Sequence, residues 1–124
     1  MQQISTHQLA DWLAGGASSA EASGGAGTES APDRRLPPIL LDVRESWEYE
    51  HCHLADSLLM PMQTVPARLG ELAPERDVVV ICHHGARSMQ VAMFLERNGF
   101  ASIYNLAGGV NAWAHDIDPG MRKY

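Results

Sequence analysis

The residue types that could carry nucleophilic chemistry follow one another in a short segment that reads Cys82, His83, His84, Gly85, Ala86, Arg87 and Ser88. This segment stands between the apolar run 78–81, which predicts a buried strand, and the apolar-rich run 89–95, which predicts a helix. A loop that turns tightly between a strand and a helix directs backbone N–H groups inward, here towards the sulfur of Cys82. The spacing therefore favours chemistry in which a cysteine sulfur attacks a substrate.

Three further features of this loop favour the thiolate of Cys82 over its thiol. The positive end of the following helix dipole lies close by, Arg87 brings a permanent cation to the rim, and Gly85 supplies the backbone freedom that a tight turn requires. We therefore predict that Cys82 is a nucleophile, needing neither a general base nor a cofactor, and that the loop N–H groups also hold an anionic intermediate. The alternative is that Cys82 is a small buried apolar residue that ends a strand.

The elements that must position this loop are short strands alternating with helices. Strands are predicted at 39–41, 57–60, 78–81 and 103–104, and helices or helical turns are predicted at 5–13, 45–53, 64–72, 88–97 and 109–113. Ser5 and Gln8 have the spacing of a capping box in the first helix. This alternation predicts an α/β fold, a parallel sheet with helices on both faces. Ligands bind such sheets at the carboxyl ends of strands, where both the 82–88 loop and Asp42-Val43-Arg44 fall.

Composition restricts the protein class and the partners. The chain has 124 residues, which predicts one domain over 1–124, and 15 acidic against 9 basic residues give a net charge of −6. This balance argues against nucleic acid or a membrane surface as the main partner. Two cysteines indicate free thiols in a reducing compartment, and no signal or membrane segment is recognisable, so a cytoplasmic protein is expected. The Gly-, Ala- and Ser-rich insertion at 14–35 predicts a flexible surface loop.

The pattern Cys-x-x-Gly-x-Arg-Ser after an apolar strand resembles the active-site loop of the rhodanese family of sulfurtransferases. Two other segments resemble family motifs in the expected order, DVRESWEYEHCHLADS and LAGGVNAW. The resemblance covers the chain apart from the 14–35 insertion and implies a rhodanese-like parallel sheet of about five short strands. It also implies a double displacement in which Cys82 takes a sulfane sulfur from a small anionic donor such as thiosulfate. The resulting persulfide passes its sulfur to a thiol or protein acceptor.

The resemblance also implies roles for individual residues. The backbone of His83, His84, Gly85, Ala86, Arg87 and Ser88 would cradle the persulfide, and Arg87 would hold the anionic substrate. Asp42 would bond loop backbone, Arg44 would pair with nearby acids, and His53 would tie backbone together. A direct substrate role for Arg44 is the alternative.

The sequence leaves open the roles of its two His- and Cys-containing clusters and of Cys52. The clusters around residues 51–53 and 82–84 lack the separated ligand pairs of a zinc site, so no metal is expected, and His83 and His84 are instead expected to line the mouth, partly protonated. Cys52 and Asp56 stand where the family has glycine. Cys52 is either a local variation or a resolving thiol for Cys82.

Two competing functions are compatible with the same motifs. One is a persulfide carrier or interaction module that serves a protein acceptor with little turnover. The other is a phosphatase or arsenate reductase, but phosphatases of related folds place one residue more between cysteine and arginine than the four, 83–86, found here.

Overall fold

The computed structural model describes residues 1–15 and 36–122. Five strands and four α-helices alternate along these residues. The strands are β1 (Gln2–Ile4), β2 (Ile39–Asp42), β3 (Leu58–Leu59), β4 (Val78–Ile81) and β5 (Ile103–Leu106). The helices are α1 (Thr6–Leu13), α2 (Ser46–His51), α3 (Ala86–Arg97) and α4 (Gly109–Asp116), with 3₁₀ segments at Met62–Thr64 and Pro66–Glu71.

The strands form one parallel sheet in the order β1-β5-β4-β2-β3. The central strand β4 is buried along its whole length, as expected for an unbroken run of β-branched residues covered on both faces. Its neighbours are in register with it, so that Asp42 lies opposite Ile81. The ends of β2 and β4 are thereby aligned, which confirms the predicted parallel α/β sheet and brings its two polar loops to the same edge.

Two apolar clusters cover the two faces of the sheet. Because side chains alternate along a strand, β4 sends Val78 and Val80 into one cluster and Val79 and Ile81 into the other. The first cluster includes α3 residues such as Leu95, whereas the second includes residues of α1 and α4. Helices therefore pack on both faces, as the sequence predicted.

The helix boundaries confirm some sequence predictions and correct others. The capping box of α1 is present, with the Gln8 N–H donating to Ser5 Oγ at 3.0 Å and the Ser5 N–H donating to Gln8 Oε1 at 2.9 Å. The predicted helix over 64–72 is instead a pair of 3₁₀ segments, and the edge strand β1 was missed because three residues of mixed polarity carry too little periodicity. The predicted flexible insertion lies outside the described residues, apart from Ala14 and Gly15.

Candidate active site

Cys82 directly follows β4 and is 1% exposed, beneath a loop that leads into α3. The N–H of Gly85 donates to Cys82 Sγ at 3.0 Å, which is the inward-pointing amide that the sequence predicted. Gly85 adopts φ +113°, a left-handed conformation in which an L side chain would be strained. The glycine is therefore required at this place for the loop to turn back onto the sulfur.

A second group reaches the sulfur from the first turn of α3. The hydroxyl of Ser88, which is fully buried, lies 3.3 Å from Cys82 Sγ and also contacts Oδ1 of Asn105 on β5. The Nδ2 group of Asn105 donates to the carbonyl of Gly85 at 3.3 Å and to Gln3 Oε1 at 3.0 Å. Sequence reasoning missed Asn105 and Gln3, because nothing in a local pattern shows that β5 and β1 reach the loop.

The carbonyl groups of the loop are held by the beginning of α4. The N–H of Val110 donates to the Cys82 carbonyl at 2.9 Å, and the N–H of Asn111 donates to the His83 carbonyl at 3.0 Å. Gly109 precedes them at φ +60°, and a Cβ atom there would overlap both of those carbonyl oxygens. These contacts hold the first part of the loop against α4, while the Gly85 N–H is directed at the sulfur. The paired glycines in LAGGVNAW were the available signal for this contact.

Arg87 at the rim of the loop forms a two-pronged ion pair with Glu48 of α2. The Nη1–Oε1 distance is 2.8 Å and the Nη2–Oε2 distance is 2.9 Å. The Glu48 side chain is buried, whereas that of Arg87 is 35% exposed. The cation is therefore fixed in direction by a buried carboxylate and still has a solvent-facing side. Sequence reasoning did not assign Glu48 to the site.

A fully buried ion pair joins Asp42 at the end of β2 to Arg44. The Arg44 Nη2–Asp42 Oδ2 distance is 2.7 Å, and the Arg44 N–H donates to Asp42 Oδ1 at 3.1 Å. The same guanidinium donates to the carbonyls of Glu48 at 3.3 Å and of Cys52 at 2.6 Å. These contacts connect the middle of α2 and the residue that follows it to the end of β2.

His83 and His84 lie beside each other, with ring centroids 4.1 Å apart. His84 is exposed and His83 is partly buried. Burial lowers the pKa of His83 below 6.5, and the neighbouring His84, Arg44 and Arg87 act in the same direction, while Glu48 acts against them. Burial and its cationic neighbours therefore make the charged form of His83 less favourable than in a free histidine, which weakens the expectation that His83 is partly protonated.

In the segment after α2, the backbone conformations of Cys52 and Asp56 show how residues with side chains are accommodated where glycine was expected. Cys52 has φ −168°, an extended conformation that any residue adopts, and it is a partly buried free thiol. It packs against the cluster on the opposite face from the one that contains Cys82. Asp56 has φ +65°, a left-handed conformation that Asp tolerates better than most residues. His53 stacks on Tyr49 with ring centroids 3.8 Å apart, and its Nδ1 lies 2.7 Å from the Tyr49 carbonyl.

Residues 1–15 and 36–122 hold no group of three or more His, Cys, Asp or Glu side chains placed to bind a metal ion. No helix in this part of the chain is long and apolar enough to cross a membrane.

Comparison with known proteins agrees with the fold. Residues 29–116 match the rhodanese-like domain family. A sulfurtransferase from Allochromatium vinosum is 40% identical over 76 residues, which cover 61% of this chain and 71% of that protein. A thiosulfate sulfurtransferase from Coxiella burnetii is 35% identical over 75 residues, 60% of this chain and 70% of that protein. The crystal structure of a rhodanese-like domain protein from Staphylococcus aureus superposes with a TM-score of 0.72 at 26% identity, covering 91% of each chain.

These findings define the protein as a parallel α/β domain with a cysteine beneath the loop that joins its central strand to a helix. The chain belongs to the rhodanese-like domain family, since the family match spans most of its length. The named relatives support sulfur transfer as its general activity.

Proposed function

We propose that this protein transfers a sulfane sulfur from a small anionic donor such as thiosulfate to a thiophilic acceptor, through a persulfide on Cys82. The observation that carries the proposal is the environment of Cys82 Sγ. The N–H of Gly85 lies 3.0 Å from the sulfur, the Ser88 hydroxyl lies 3.3 Å from it, and α3 begins immediately after Gly85. Donors directed at a sulfur atom stabilise its anion, which is the nucleophilic form.

The first half-reaction forms the persulfide. The thiolate of Cys82 attacks the outer sulfur of thiosulfate, a new S–S bond forms, and the sulfur–sulfur bond of the donor breaks. The electron pair of the broken bond leaves with sulfite. The outer sulfur of the persulfide then carries the negative charge, and the loop N–H groups that stabilised the thiolate also stabilise this anion.

The second half-reaction releases the sulfur. An acceptor thiolate or cyanide attacks the outer sulfur, the S–S bond to Cys82 breaks, and the electron pair returns to the Cys82 thiolate. Cyanide becomes thiocyanate, and a thiolate becomes a persulfide. The proposal therefore needs no oxidant or reductant beyond the donor and the acceptor.

Arg87 would attract and orient the anionic donor. Its side chain is 35% exposed, and the pair with Glu48 fixes the guanidinium plane at the rim of the loop. The burial of Cys82 favours a donor that presents a terminal sulfur atom, because a hindered sulfur would not reach a residue that is 1% exposed.

Intact mass measurement tests the proposal. Incubation with thiosulfate should add one sulfur atom to the chain, cyanide should remove it, and peptide mapping should place it on Cys82. The matched control is Cys52→Ser, which should load as the unchanged chain does. Loading that persists in Cys82→Ser would contradict the assignment.

Turnover distinguishes an enzyme from a carrier. An enzyme should form thiocyanate continuously from thiosulfate and cyanide, whereas a carrier should load once and turn over poorly with free cyanide. Hydrolysis of an aryl phosphate that depends on Cys82 would instead favour the phosphatase alternative.

A further inference from the structure

A row of polar side chains extends from the exposed Gln3 on β1 inward to the sulfur of Cys82. It passes from Gln3 through Asn105 to Ser88 and ends at Cys82. Asn105 is 2% exposed and Ser88 is fully buried, so the hydrogen bonds between them are shielded from water. The proposed transfer reaction accounts for Cys82 and Ser88 but leaves Asn105 without a role.

The orientation of the Asn105 amide is determined by its neighbours. One group of this amide lies 3.3 Å from the carbonyl oxygen of Gly85, which can only accept a hydrogen bond, so that group is the donor Nδ2. The other group, which contacts the hydroxyl of Ser88, is therefore the acceptor Oδ1. This orientation places a pure acceptor against a hydroxyl that also faces the sulfur.

The hydroxyl of Ser88 has a single hydrogen and lies between two acceptors, Cys82 Sγ and Asn105 Oδ1. When Cys82 is a thiol, its S–H can donate to Ser88 Oγ while the hydroxyl hydrogen goes to Asn105. When the thiol has lost its proton to water, the thiolate and Asn105 compete for that hydrogen. A buried acceptor that loses its donor is costly, so the competition carries a free energy.

We infer that Asn105 is a positioning residue that controls, through the Ser88 hydroxyl, how readily Cys82 becomes a thiolate. Asn105 Oδ1 competes with the thiolate for the hydroxyl hydrogen and thereby opposes ionisation, while Nδ2 holds the Gly85 carbonyl so that the Gly85 N–H stays directed at the sulfur. Asn105 thus influences how much of Cys82 is the reactive thiolate and how much is the less reactive thiol. The inference deepens the proposed function and rests on Cys82 being the reacting sulfur.

The test measures the ionisation of Cys82 directly, without any sulfur donor. In the Cys52→Ser background the ultraviolet absorbance of the thiolate reports Cys82 alone, and its pH midpoint is compared among variants. Asn105→Leu keeps a similar volume but removes both Oδ1 and Nδ2. Because the Ser88 hydroxyl lies against the sulfur whereas the Gly85 carbonyl acts on it only indirectly, the loss of Oδ1 should dominate and the midpoint should fall by about half a pH unit or more. Asn105→Asp keeps the acceptor and adds negative charge, so the midpoint should rise. The matched control, Asn98→Leu at the end of α3, should leave it unchanged.

A double-mutant cycle with Ser88→Ala separates this coupling from a general structural effect. Because Ser88 transmits the competition, the fall caused by Asn105→Leu should disappear or reverse when Ser88→Ala is also present. An equal fall in both backgrounds, or no fall in either, would overturn the inference.

NMR of the Asn105 side-chain amide, with Asn105 itself unchanged, tests the inference if the Asn105 variants do not fold. The side-chain amide resonances of Asn105 should shift with the ionisation of Cys82, and Ser88→Ala should reduce that shift by more than half. Equal shifts with and without Ser88 would overturn the inference. Loss of persulfide loading with the coupling intact would contradict only the proposed function, so the two failures are distinguishable.

Discussion

The guanidinium of Arg87 and the carboxylate of Glu48 face each other in a two-pronged ion pair, with N–O distances of 2.8 and 2.9 Å. Glu48 also accepts a hydrogen bond at its backbone carbonyl from Arg44, whose partner Asp42 ends β2. The guanidinium of the 82–88 loop is thus connected, through the single residue Glu48, to a buried ion pair at the end of β2.

The fork geometry of this pair leads to a prediction about Arg87. Arg87→Lys keeps the charge but loses the planar two-pronged contact with Glu48, so kcat/KM for thiosulfate should fall by about tenfold. The control is Arg68→Lys, which changes an arginine that pairs with Glu71 on the surface and should have no effect. Steady-state kinetics with thiosulfate and cyanide checks this, and unchanged kinetics of Arg87→Lys would contradict it.

The pair between Asp42 and Arg44 should contribute to stability rather than to turnover. Both side chains are fully buried, so Arg44→Ala leaves the Asp42 carboxylate without its partner and should lower the free energy of unfolding by about 3–5 kcal/mol. Urea unfolding measures this loss, and Arg68→Ala should leave the urea midpoint nearly unchanged. A midpoint for Arg44→Ala that equals that of the unchanged chain would refute a structural role.

The close approach of Gly109 to the loop carbonyls predicts that substitution by alanine is more damaging at Gly109 than at Gly99. Gly109→Ala should cost about 3 kcal/mol or more and abolish persulfide loading, because the new methyl overlaps the carbonyl oxygens of Cys82 and His83. Gly99→Ala is the matched control, since Gly99 also has positive φ but has open space around it, and it should cost about 1 kcal/mol and load normally. Thermal melts and intact mass would show whether the two variants differ as stated.

The left-handed backbone conformation of Asp56 can be tested by comparing glycine and alanine at this position. Its φ of +65° suits glycine better than alanine, so Asp56→Gly should be more stable than Asp56→Ala by about 1 kcal/mol. Denaturant unfolding of the two variants measures the difference directly. Equal stabilities would show that the left-handed conformation at this position carries no strain.

The lowered pKa of His83 predicts a dependence on pH. Its midpoint in the folded protein should lie below 6.5, since burial and its cationic neighbours disfavour the charged ring. The unfolded chain then binds the proton more readily, so the free energy of unfolding should decrease as the pH falls below 6.5 and through the folded midpoint. Proton NMR titration of the ring gives the midpoint, and His83→Gln should remove this part of the pH dependence. A midpoint at or above 6.5 would contradict the prediction.

Much of the architecture followed from local patterns, and the reasons for the exceptions are physical. The β-branched run of β4 and the apolar periodicity of α3 identified a strand, a loop and a helix, because these elements depend on nearby residues. The 3₁₀ geometry of Pro66–Glu71 was not predicted, and neither was β1, whose three residues carry too little periodicity and form a strand by pairing with the distant β5.

The sequence by itself determined the parallel α/β sheet, the loop around Cys82 and the need for Gly85, since residue types and their spacing within a few positions carry that information. Only the tertiary structure decided which distant groups complete the site. Glu48 orients the guanidinium of Arg87, Asn105 contacts the hydroxyl of Ser88, and the absence of a side chain at Gly109 lets the start of α4 pack against the loop. These contacts join separate elements, and their energies depend on distance and burial, which become defined only once the sheet has aligned its strands.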